Sequence, residues 1–289
     1  MAPDDPRGDV TDLDVLMVTF DQPDYVDLSL PRLLESCDDG MRVWIWHNGT
    51  DAPTLEVSRS FAHDPRVARF HHSPENRPLR DPINWLFEES RARLVSKVDD
   101  DCLVSPGWAQ TLARAHENVE QLGVVGSWRF LDEDFVPELS LPKIAQLPGG
   151  HQVLQNFWVQ GSGFVMKRAC VERHGPLKPG QTFTQYCIQL ALAGWMNGWY
   201  YPFIHEEHMD DPRSPHTRFR TDEDLEGRLP LTARRNGVRT LAGWEEQVRR
   251  SARASQAAPL DPNDYRGWRL RRRNLWLRAR RTVGVQRQW

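Results

Sequence analysis

The 289-residue sequence contains only four cysteines, no long apolar run and no internal repeat. The cysteines are far apart and form no CxxC pair, which argues against a zinc ribbon or a disulfide scaffold and fits reduced thiols in a cytoplasm. The first nine residues are acidic and proline-rich without an apolar signal core, and no stretch reaches membrane-spanning length. We therefore expect a cytoplasmic globular protein, in agreement with its 39% hydrophobic and 27% charged residues.

The net charge of −3 conceals a basic C-terminal tail. Residues 247–289 contain twelve arginines and two acids, a net charge of +10, so the other 246 residues carry −13. In residues 266–281 the arginines alternate with Trp and Leu, as in a helix that packs on an acidic surface or lies peripherally on an anionic membrane. The first interpretation of this tail is packing on the acidic body of its own chain or homodimerisation, and the second is membrane contact. Nucleic-acid binding ranks last, because no nucleic-acid-binding module accompanies the tail.

Strand and helix patterns alternate through the first half of the chain. Apolar, β-branched runs predict strands at 13–19, 41–46 and 94–98, with helical patterns between them. This alternation is typical of βαβ units and predicts a mostly parallel sheet flanked by helices. Residues 129–155 are rich in proline and glycine and are predicted to form an irregular loop. Helical segments at about 241–254 and 263–281 end the chain.

Three consecutive aspartates, Asp99, Asp100 and Asp101, follow the predicted strand at 94–98. The carboxyl ends of strands are the edge at which open α/β sheets bind ligands. Carboxylates there suit Mg²⁺ or Mn²⁺ carrying a diphosphate, because the metal cancels charge that would otherwise repel the acids. A solvated turn is the alternative interpretation of such a triplet.

Six short motifs follow one another at compatible spacing: Val-Thr-Phe-Asp at 18–21, His-Asn-Gly-Thr-Asp at 47–51, an Asn- and Arg-containing segment at 76–84, Asp-x-Asp at 99–101, a Gly-rich segment at 161–168, and a segment with two histidines at 202–208. Their order resembles that of nucleotide-sugar glycosyltransferases of the GT-A fold, closest to family 2, over about residues 14–211.

The resemblance implies a GT-A (Rossmann-like) catalytic domain at 1–211. Its nucleotide-binding half would be residues 10–128, and residues 129–211 would form the acceptor and metal-histidine half. A loop-rich and helical extension, basic at its end, would occupy 212–289.

The same resemblance assigns site residues. Nucleotide or diphosphate contacts are expected from Thr19, Asp21, Asn48, Asp51, Asn76, Arg80, Asn84, Asp99 and Asp100. Asp101 would bind the metal. Strand alternation sends His205 and His208 to opposite faces, so one histidine ligand is expected. The family's interval of about six residues from the strand proline, here Pro202, to its histidine favours His208 over His205. Several of these residues also have structural interpretations, since Asn48 lies in a common turn pair and Arg80 could be a surface charge.

One departure from the family pattern concerns the catalytic base. Inverting members usually place a carboxylate at the start of the helix after the Gly-rich strand, where it deprotonates the acceptor hydroxyl. Residues 180–187 contain no carboxylate. The base is therefore expected from Asp210 or Asp211, with Glu206 and the acids at 132–134 as further candidates, unless the stereochemical course differs. The sequence leaves inverting and retaining chemistry open.

The combined hypothesis is an enzyme, a glycosyltransferase dependent on Mn²⁺ or Mg²⁺. It would move a sugar from a nucleotide-diphosphate donor to an acceptor hydroxyl of a small natural product or a surface-glycan precursor. The alternatives are a non-catalytic nucleotide- or glycan-binding protein on a degenerate GT-A fold, and a membrane-surface adaptor that uses the arginine-rich tail. A nucleotidyltransferase is disfavoured, because a Gly-rich basic loop would follow the first strand and residues 20–25 contain none.

Overall fold

The computed structural model describes residues 12–266. Most of the helix predicted at 263–281, and with it the basic tail beyond residue 266, lies outside the described residues, as does the acidic N-terminal segment. The described residues divide into two units, 12–257 and 258–266. In the second, Pro262–Tyr265 forms a 3₁₀ turn.

The first unit contains the strands, which are β1 Leu13–Thr19, β2 Met41–Asn48, β3 Val67–Ser73, β4 Leu94–Asp99, β5 Cys102–Val104, β6 Leu122–Gly126, β7 Ile144–Gln146, β8 Gln152–Asn156, β9 Phe164–Lys167, β10 Met196–Tyr201 and β11 Glu206–His208. Nine of them form one sheet in the order β3-β2-β1-β4-β9-β6-β10-β8-β7. Strands β1 to β4 are parallel to one another, and β9 is antiparallel between β4 and β6. The remaining two, β5 and β11, pair with each other as a separate antiparallel ribbon.

The α-helices of the same unit are α1 Pro23–Glu35, α2 Ala52–Ser60, α3 Arg80–Glu89, α4 Trp108–Asn118, α5 Pro137–Ser140, α6 Arg168–His174, α7 Phe183–Leu192, α8 Asp222–Gly227, α9 Leu231–Arg235 and α10 Leu241–Gln256. No helix among residues 12–266 has the length and apolar character needed to cross a membrane.

The sheet is covered on both faces, since its central strands are buried at nearly every position. All seven residues of β1 are buried. The side chains of β1 alternate between two separate apolar clusters. Leu16 and Val18 pack in one cluster, and Val15 and Met17 pack in the other. This is the pattern of a strand covered by helices on both sides.

The segment 129–155 is more ordered than its composition predicts, and the expected irregular loop is wrong for its last part. Here β7 and β8 extend the sheet by antiparallel pairing to each other and to β10. Gly198 in β10 makes the approach possible, because a Cβ on it would lie 2.2 Å from the carbonyl oxygen of Leu154. Local proline and glycine content indicated a loop, but pairing with a strand far along the chain determined the structure.

His116 on α4 makes the fold sensitive to acid. The side chain is buried and its Nε2 lies 2.9 Å from the carbonyl oxygen of Val165. Burial lowers the pKa of His116 to about 4 from an ordinary value of 6.5. As pH falls through this window the unfolded chain takes up the proton first, so the stability that neutral His116 contributes is present above pH 6.5 and is lost towards pH 4.

We expect His116→Gln to remove this part of the acid sensitivity. Between pH 7 and pH 5 the wild type should lose about 2 kcal/mol of unfolding free energy more than the variant, as measured by urea denaturation. His63→Gln, at an exposed histidine, is the matched control and should keep the wild-type pH dependence. Equal pH slopes for wild type and His116→Gln would contradict the prediction.

Candidate active site

The predicted site lies where parallel strands β1, β2 and β4 end side by side. Val18 of β1 is in register with Asp99 of β4, and Thr19 with His47 of β2. Polar residues that follow three separate apolar strands are therefore brought to one edge, the position at which open α/β sheets bind ligands.

The three aspartates of the triplet have different environments. The Asp99 carboxylate is partly exposed and pairs with Lys97 of the same strand. Asp100 points inward, accepts a hydrogen bond of 2.8 Å from the backbone N–H of Phe20, and has a pKa raised well above its usual range by burial. It therefore holds the end of β1, whereas Asp101 continues into the ribbon formed by β5 and β11.

The ribbon brings Asp101 to His208. The Met209 N–H donates to the Asp101 carbonyl oxygen over 2.8 Å, and the Asp101 Oδ2 and His208 Nε2 atoms are 3.4 Å apart. Burial lowers the pKa of His208, which keeps the imidazole neutral and able to bind a metal near pH 7. Its Nδ1 is buried without a hydrogen-bond partner among residues 12–266. A carboxylate beside a neutral imidazole fits a divalent cation.

His205 is placed elsewhere. Its Nε2 lies 3.0 Å from the Asp132 Oδ1, and its side chain is more exposed than that of His208. The structure thus brings one of the two predicted histidines to the triplet, and it is His208.

The predicted nucleotide-side residues are held mainly by residues outside the predicted set. Thr19 Oγ1 lies 3.1 Å from His47 Nδ1 and accepts a hydrogen bond from Ser58. Asp51 caps α2 by accepting from the Thr54 N–H over 2.9 Å. Asp21 follows Phe20, whose backbone N–H donates to Asp100. Asp21 is exposed and has a left-handed backbone with φ +50°.

Asn48 organises the loop that precedes α3. Its Nδ2 donates to Asn76 Oδ1 at 3.0 Å and to the Arg77 carbonyl oxygen at 2.9 Å, and its Oδ1 accepts from the Arg77 N–H. On α3 itself, Arg80 pairs with Asp81 over 2.7 Å. Asn84 exchanges two hydrogen bonds with the backbone of Leu177. Asn48 and Asn84 therefore act first as connectors between chain segments.

The two candidate bases differ in their partners. Asp211 accepts hydrogen bonds from the Arg213 guanidinium at 3.0 and 2.7 Å and from its backbone N–H. Asp210 is buried, its Oδ1 has no hydrogen-bond partner among the described residues, and Arg218 Nη2 is 3.8 Å away. Burial, with the charge of Asp101, raises the pKa of Asp210 to about 7. Asp211 is committed to an ion pair, whereas Asp210 can accept a proton.

Sequence reasoning missed Arg129 and Arg218. Among residues 12–266, Arg129 Nε and Arg218 Nε and Nη1 are buried without hydrogen-bond partners. The Arg218 guanidinium stacks over the Tyr25 ring at 4.5 Å and faces Asp210, while the charge of Arg129 acts on Asp101 and His208. Arg129 lies three residues after the apolar run that forms β6, which is parallel to β4, so its position at the end of such a run could have indicated a site residue.

The Gly-rich segment at 161–168 connects the aspartate triplet to Glu206 through hydrogen bonds of Ser162. Ser162 accepts from the Asp99 N–H over 2.9 Å and donates to the buried Glu206 carboxyl over 2.6 Å. Burial raises the pKa of Glu206 to about 8. Gly163 has φ +60°, and a Cβ on it would lie 2.6 Å from the Glu206 carboxyl atoms.

The start of α7 contains no carboxylate, in agreement with the departure noted in the sequence. Thr182 caps this helix and Gln185 completes a capping box with it. Both side chains are used in local hydrogen bonds.

Comparisons with known proteins identify the family of the chain and support its fold. The sequence profile described as Glycosyl transferase family 2 matches residues 14–174, more than half of the chain. A mannosyltransferase, PcManGT from Pyrobaculum calidifontis in complex with GDP-Man and Mn²⁺, has a similar structure (TM-score 0.56, 15% identity, 86% of this chain and 76% of that chain covered). The crystal structure of GalNAc-T7 with UDP, GalNAc and Mn²⁺ is also similar (TM-score 0.55, 8% identity, 71% of this chain but 44% of that chain). No curated protein matches in sequence.

These findings define the fold first: the described residues form a GT-A-type, mostly parallel α/β sheet flanked by helices, as predicted. The chain belongs to glycosyltransferase family 2. The predicted family and the predicted class of enzyme, a glycosyltransferase, are both confirmed.

We expect Gly163→Ala to destabilise the protein by about 1–3 kcal/mol, because a left-handed backbone and the Glu206 carboxyl both oppose a methyl group there. Gly161→Ala is the matched control, since a Cβ at Gly161 meets no atom within 4 Å, and it should change stability by about 0.5 kcal/mol or less. Urea unfolding of both variants measures the difference. Equal losses would show that the Gly163–Glu206 contact does not constrain the segment.

Proposed function

We propose that this glycosyltransferase is metal-dependent and moves a sugar from a nucleotide-diphosphate donor to an acceptor hydroxyl. One observation carries the proposal: in a family 2 chain, the Asp101 carboxylate and the His208 imidazole lie 3.4 Å apart at the ligand-binding edge of the sheet. The acceptor class we propose is a small natural product or a surface-glycan precursor.

Asp101 and His208 would hold Mn²⁺ or Mg²⁺. The chemistry of the ligand atoms supports this assignment, since a partly buried carboxylate and a neutral imidazole are both good ligands for such an ion. Both structural neighbours were determined with Mn²⁺, which points to the same class of cofactor. When bound, the metal supplies positive charge that stabilises the diphosphate leaving group.

Arg129 and Arg218 would bind the diphosphate. Buried guanidinium nitrogens without partners are costly, and a phosphate oxygen satisfies them with charge-assisted hydrogen bonds. The stacking of Arg218 on Tyr25 fixes the plane of its guanidinium before the donor arrives. Charge that develops on the leaving group would then meet donors already in place.

The nucleotide would lie along the ends of β1 and β2. We propose Thr19, Asp21, Asn48 and Asp51 beside the base and ribose, with Asp99 and Asp100 at the sugar-proximal end. Asn76, Arg80 and Asn84 would complete the diphosphate side. Because Asn48 and Asn84 already hold backbone groups, their contribution would include positioning the loops that carry residues 76–80 and 177.

Asp210 is the base that the contacts favour. It is two residues from His208, its Oδ1 is unpartnered, and it is not locked in a close ion pair. In this role the carboxylate takes the proton of the acceptor hydroxyl as the oxygen attacks the anomeric carbon. Asp211 instead ties the segment to residues 133–134 through Arg213, which bridges Asp211 and Asp134.

The non-catalytic alternative is favoured by a single observation, the absence of a carboxylate at the start of α7. Turnover of a donor sugar separates it from the transferase. Cytoplasmic location, homodimerisation and peripheral membrane contact stay predictions.

The proposal is tested with GDP-, UDP- and dTDP-sugars, with and without Mn²⁺, by thermal shift and by release of nucleotide from the donor. We expect stabilisation and slow donor hydrolysis that require the metal. His208→Ala should abolish the metal-dependent shift and lower turnover by about a hundredfold or more, because several kcal/mol of charge stabilisation are lost. His205→Ala is the matched control and should retain both. Donor binding without turnover would favour the binding protein, and unchanged metal dependence in His208→Ala would overturn the metal site.

The assignment of the base predicts different defects in two neighbouring variants. Asp210→Asn should lower kcat by about 10²- to 10⁴-fold while leaving the donor Kd near the wild-type value. Asp211→Asn should instead lower the unfolding free energy by about 1–3 kcal/mol, because its charged hydrogen bonds to Arg213 are buried. Steady-state kinetics and urea denaturation are measured on both. A larger kcat loss in Asp211→Asn than in Asp210→Asn would reverse the assignment.

A further inference from the structure

Cys102 lies directly beside the two residues that would hold the metal. In the β5–β11 ribbon it is the cross-strand partner of His208. Its Sγ is 3.3 Å from the Asp101 Oδ1, and the His208 Nε2 is 3.4 Å from the Asp101 Oδ2. Sulfur, nitrogen and oxygen donors from three residues thus lie within 4.8 Å of one another. Among residues 12–266 no other set of histidine, cysteine and acidic side chains converges in this way.

The spacing of these donors is that of ligands around one small cation. Zinc binds nitrogen and oxygen at about 2.0–2.2 Å and thiolate sulfur at about 2.3 Å, so at a tetrahedral angle a nitrogen–oxygen pair is about 3.3–3.6 Å apart and a sulfur–oxygen pair about 3.5–3.7 Å. The His208–Asp101 separation of 3.4 Å falls in the first range. The Cys102–Asp101 separation of 3.3 Å, across which the thiol donates a hydrogen bond, is about 0.2 Å shorter than the second, so a small outward shift of the sulfur would complete the arrangement. The adjacency of Cys102 and Asp101 in sequence and the pairing of β5 with β11 together fix this arrangement.

We propose that Cys102 is a third protein ligand of this metal centre, which therefore binds thiophilic divalent cations such as Zn²⁺ and Co²⁺ through sulfur. The inference rests on the proposed function, since it uses the same Asp101 and His208. On binding, the S–H bond of Cys102 breaks, a sulfur–metal bond forms, and the proton passes to solvent without any change of oxidation state. Three protein ligands leave a position open for a donor oxygen, as in catalytic zinc sites.

Sulfur changes which metals the centre prefers. Thiolate ligands select zinc-like ions, whereas Mg²⁺ and Mn²⁺ prefer oxygen. With Cys102 as a ligand, Zn²⁺ and Co²⁺ gain a bond that Mn²⁺ gains only weakly. Replacing the thiol with a hydroxyl should therefore weaken the binding of Zn²⁺ and Co²⁺ and leave the binding of Mn²⁺ largely unchanged.

The test is titration of the metal-free full-length protein with Co²⁺, followed by absorption. We expect an intense near-ultraviolet sulfur-to-cobalt charge-transfer band that is lost in Cys102→Ser. Cys37→Ser, at a half-buried cysteine, is the matched control and should retain the band. In competition titrations the Zn²⁺ affinity of Cys102→Ser should be at least about tenfold lower than that of the wild type, because even replacing a residue that only contacts a ligand lowers metal affinity by about tenfold. Its Mn²⁺ affinity should be largely unchanged.

Each outcome supports or overturns the inference. Co²⁺ binding without the band in the wild-type protein, or a band that depends on Cys37, would overturn it, and the wild-type spectrum is decisive even if Cys102→Ser does not fold. Mn²⁺-dependent donor stabilisation would then still be observed, so the proposed function would stand. Failure of every cation to bind, with no metal-dependent donor stabilisation, would overturn both.

Discussion

The antiparallel pairing of β5 with β11 is the interaction on which the rest of the site depends. β5 begins immediately after Asp101 and β11 ends at His208, so three rungs of this ribbon determine whether the carboxylate and the imidazole meet. The hydrogen bond from the Met209 N–H to the Asp101 carbonyl oxygen continues the pairing beyond the last rung. A ribbon this short is marginal by itself. It is stabilised here because Tyr25, Leu103 and Met209 form a small buried cluster around it.

Burial around the ribbon produces a set of charged groups that the protein satisfies only partly. Asp100, Glu206 and Asp210 have raised pKa values, because each carboxyl is removed from water. Arg129 and Arg218 have buried nitrogens without partners among residues 12–266. Asp100 accepts a hydrogen bond from Phe20, but Glu206 Oε2 and Asp210 Oδ1 also have no partner among these residues. Buried polar groups without partners are costly in a low-dielectric region. The ligand we propose, a cation with a diphosphate, would satisfy carboxyl oxygens and guanidinium nitrogens at once, so the same groups that weaken the free protein would favour its binding.

The sequence predicted the parts of the fold that depend on local pattern. Strands β1, β2 and β4 are rich in apolar residues, and their ends could be located without knowledge of their neighbours. β8 could not be found in this way, because its partner β10 follows some forty residues later. In the site, the preference for His208 over His205 followed from the family's interval between the strand proline and its histidine. The connecting roles of Asn48 and Asn84 depend on contacts with Arg77 and Leu177 across space, which spacing along the chain does not reveal.

The absence of a carboxylate at the start of α7 is consistent with a base located beside the metal ligand. Met209 stands between His208 and Asp210, and both of its backbone groups are bound: its N–H donates to Asp101, and its carbonyl oxygen accepts from the Tyr25 hydroxyl at 3.0 Å. The Arg218 N–H in turn donates to the same hydroxyl. One tyrosine thus fixes the residue between the proposed metal ligand and base, together with an arginine proposed for the diphosphate. Since these groups share one support, a shift in Tyr25 would displace the metal ligand, the base and the diphosphate contact together.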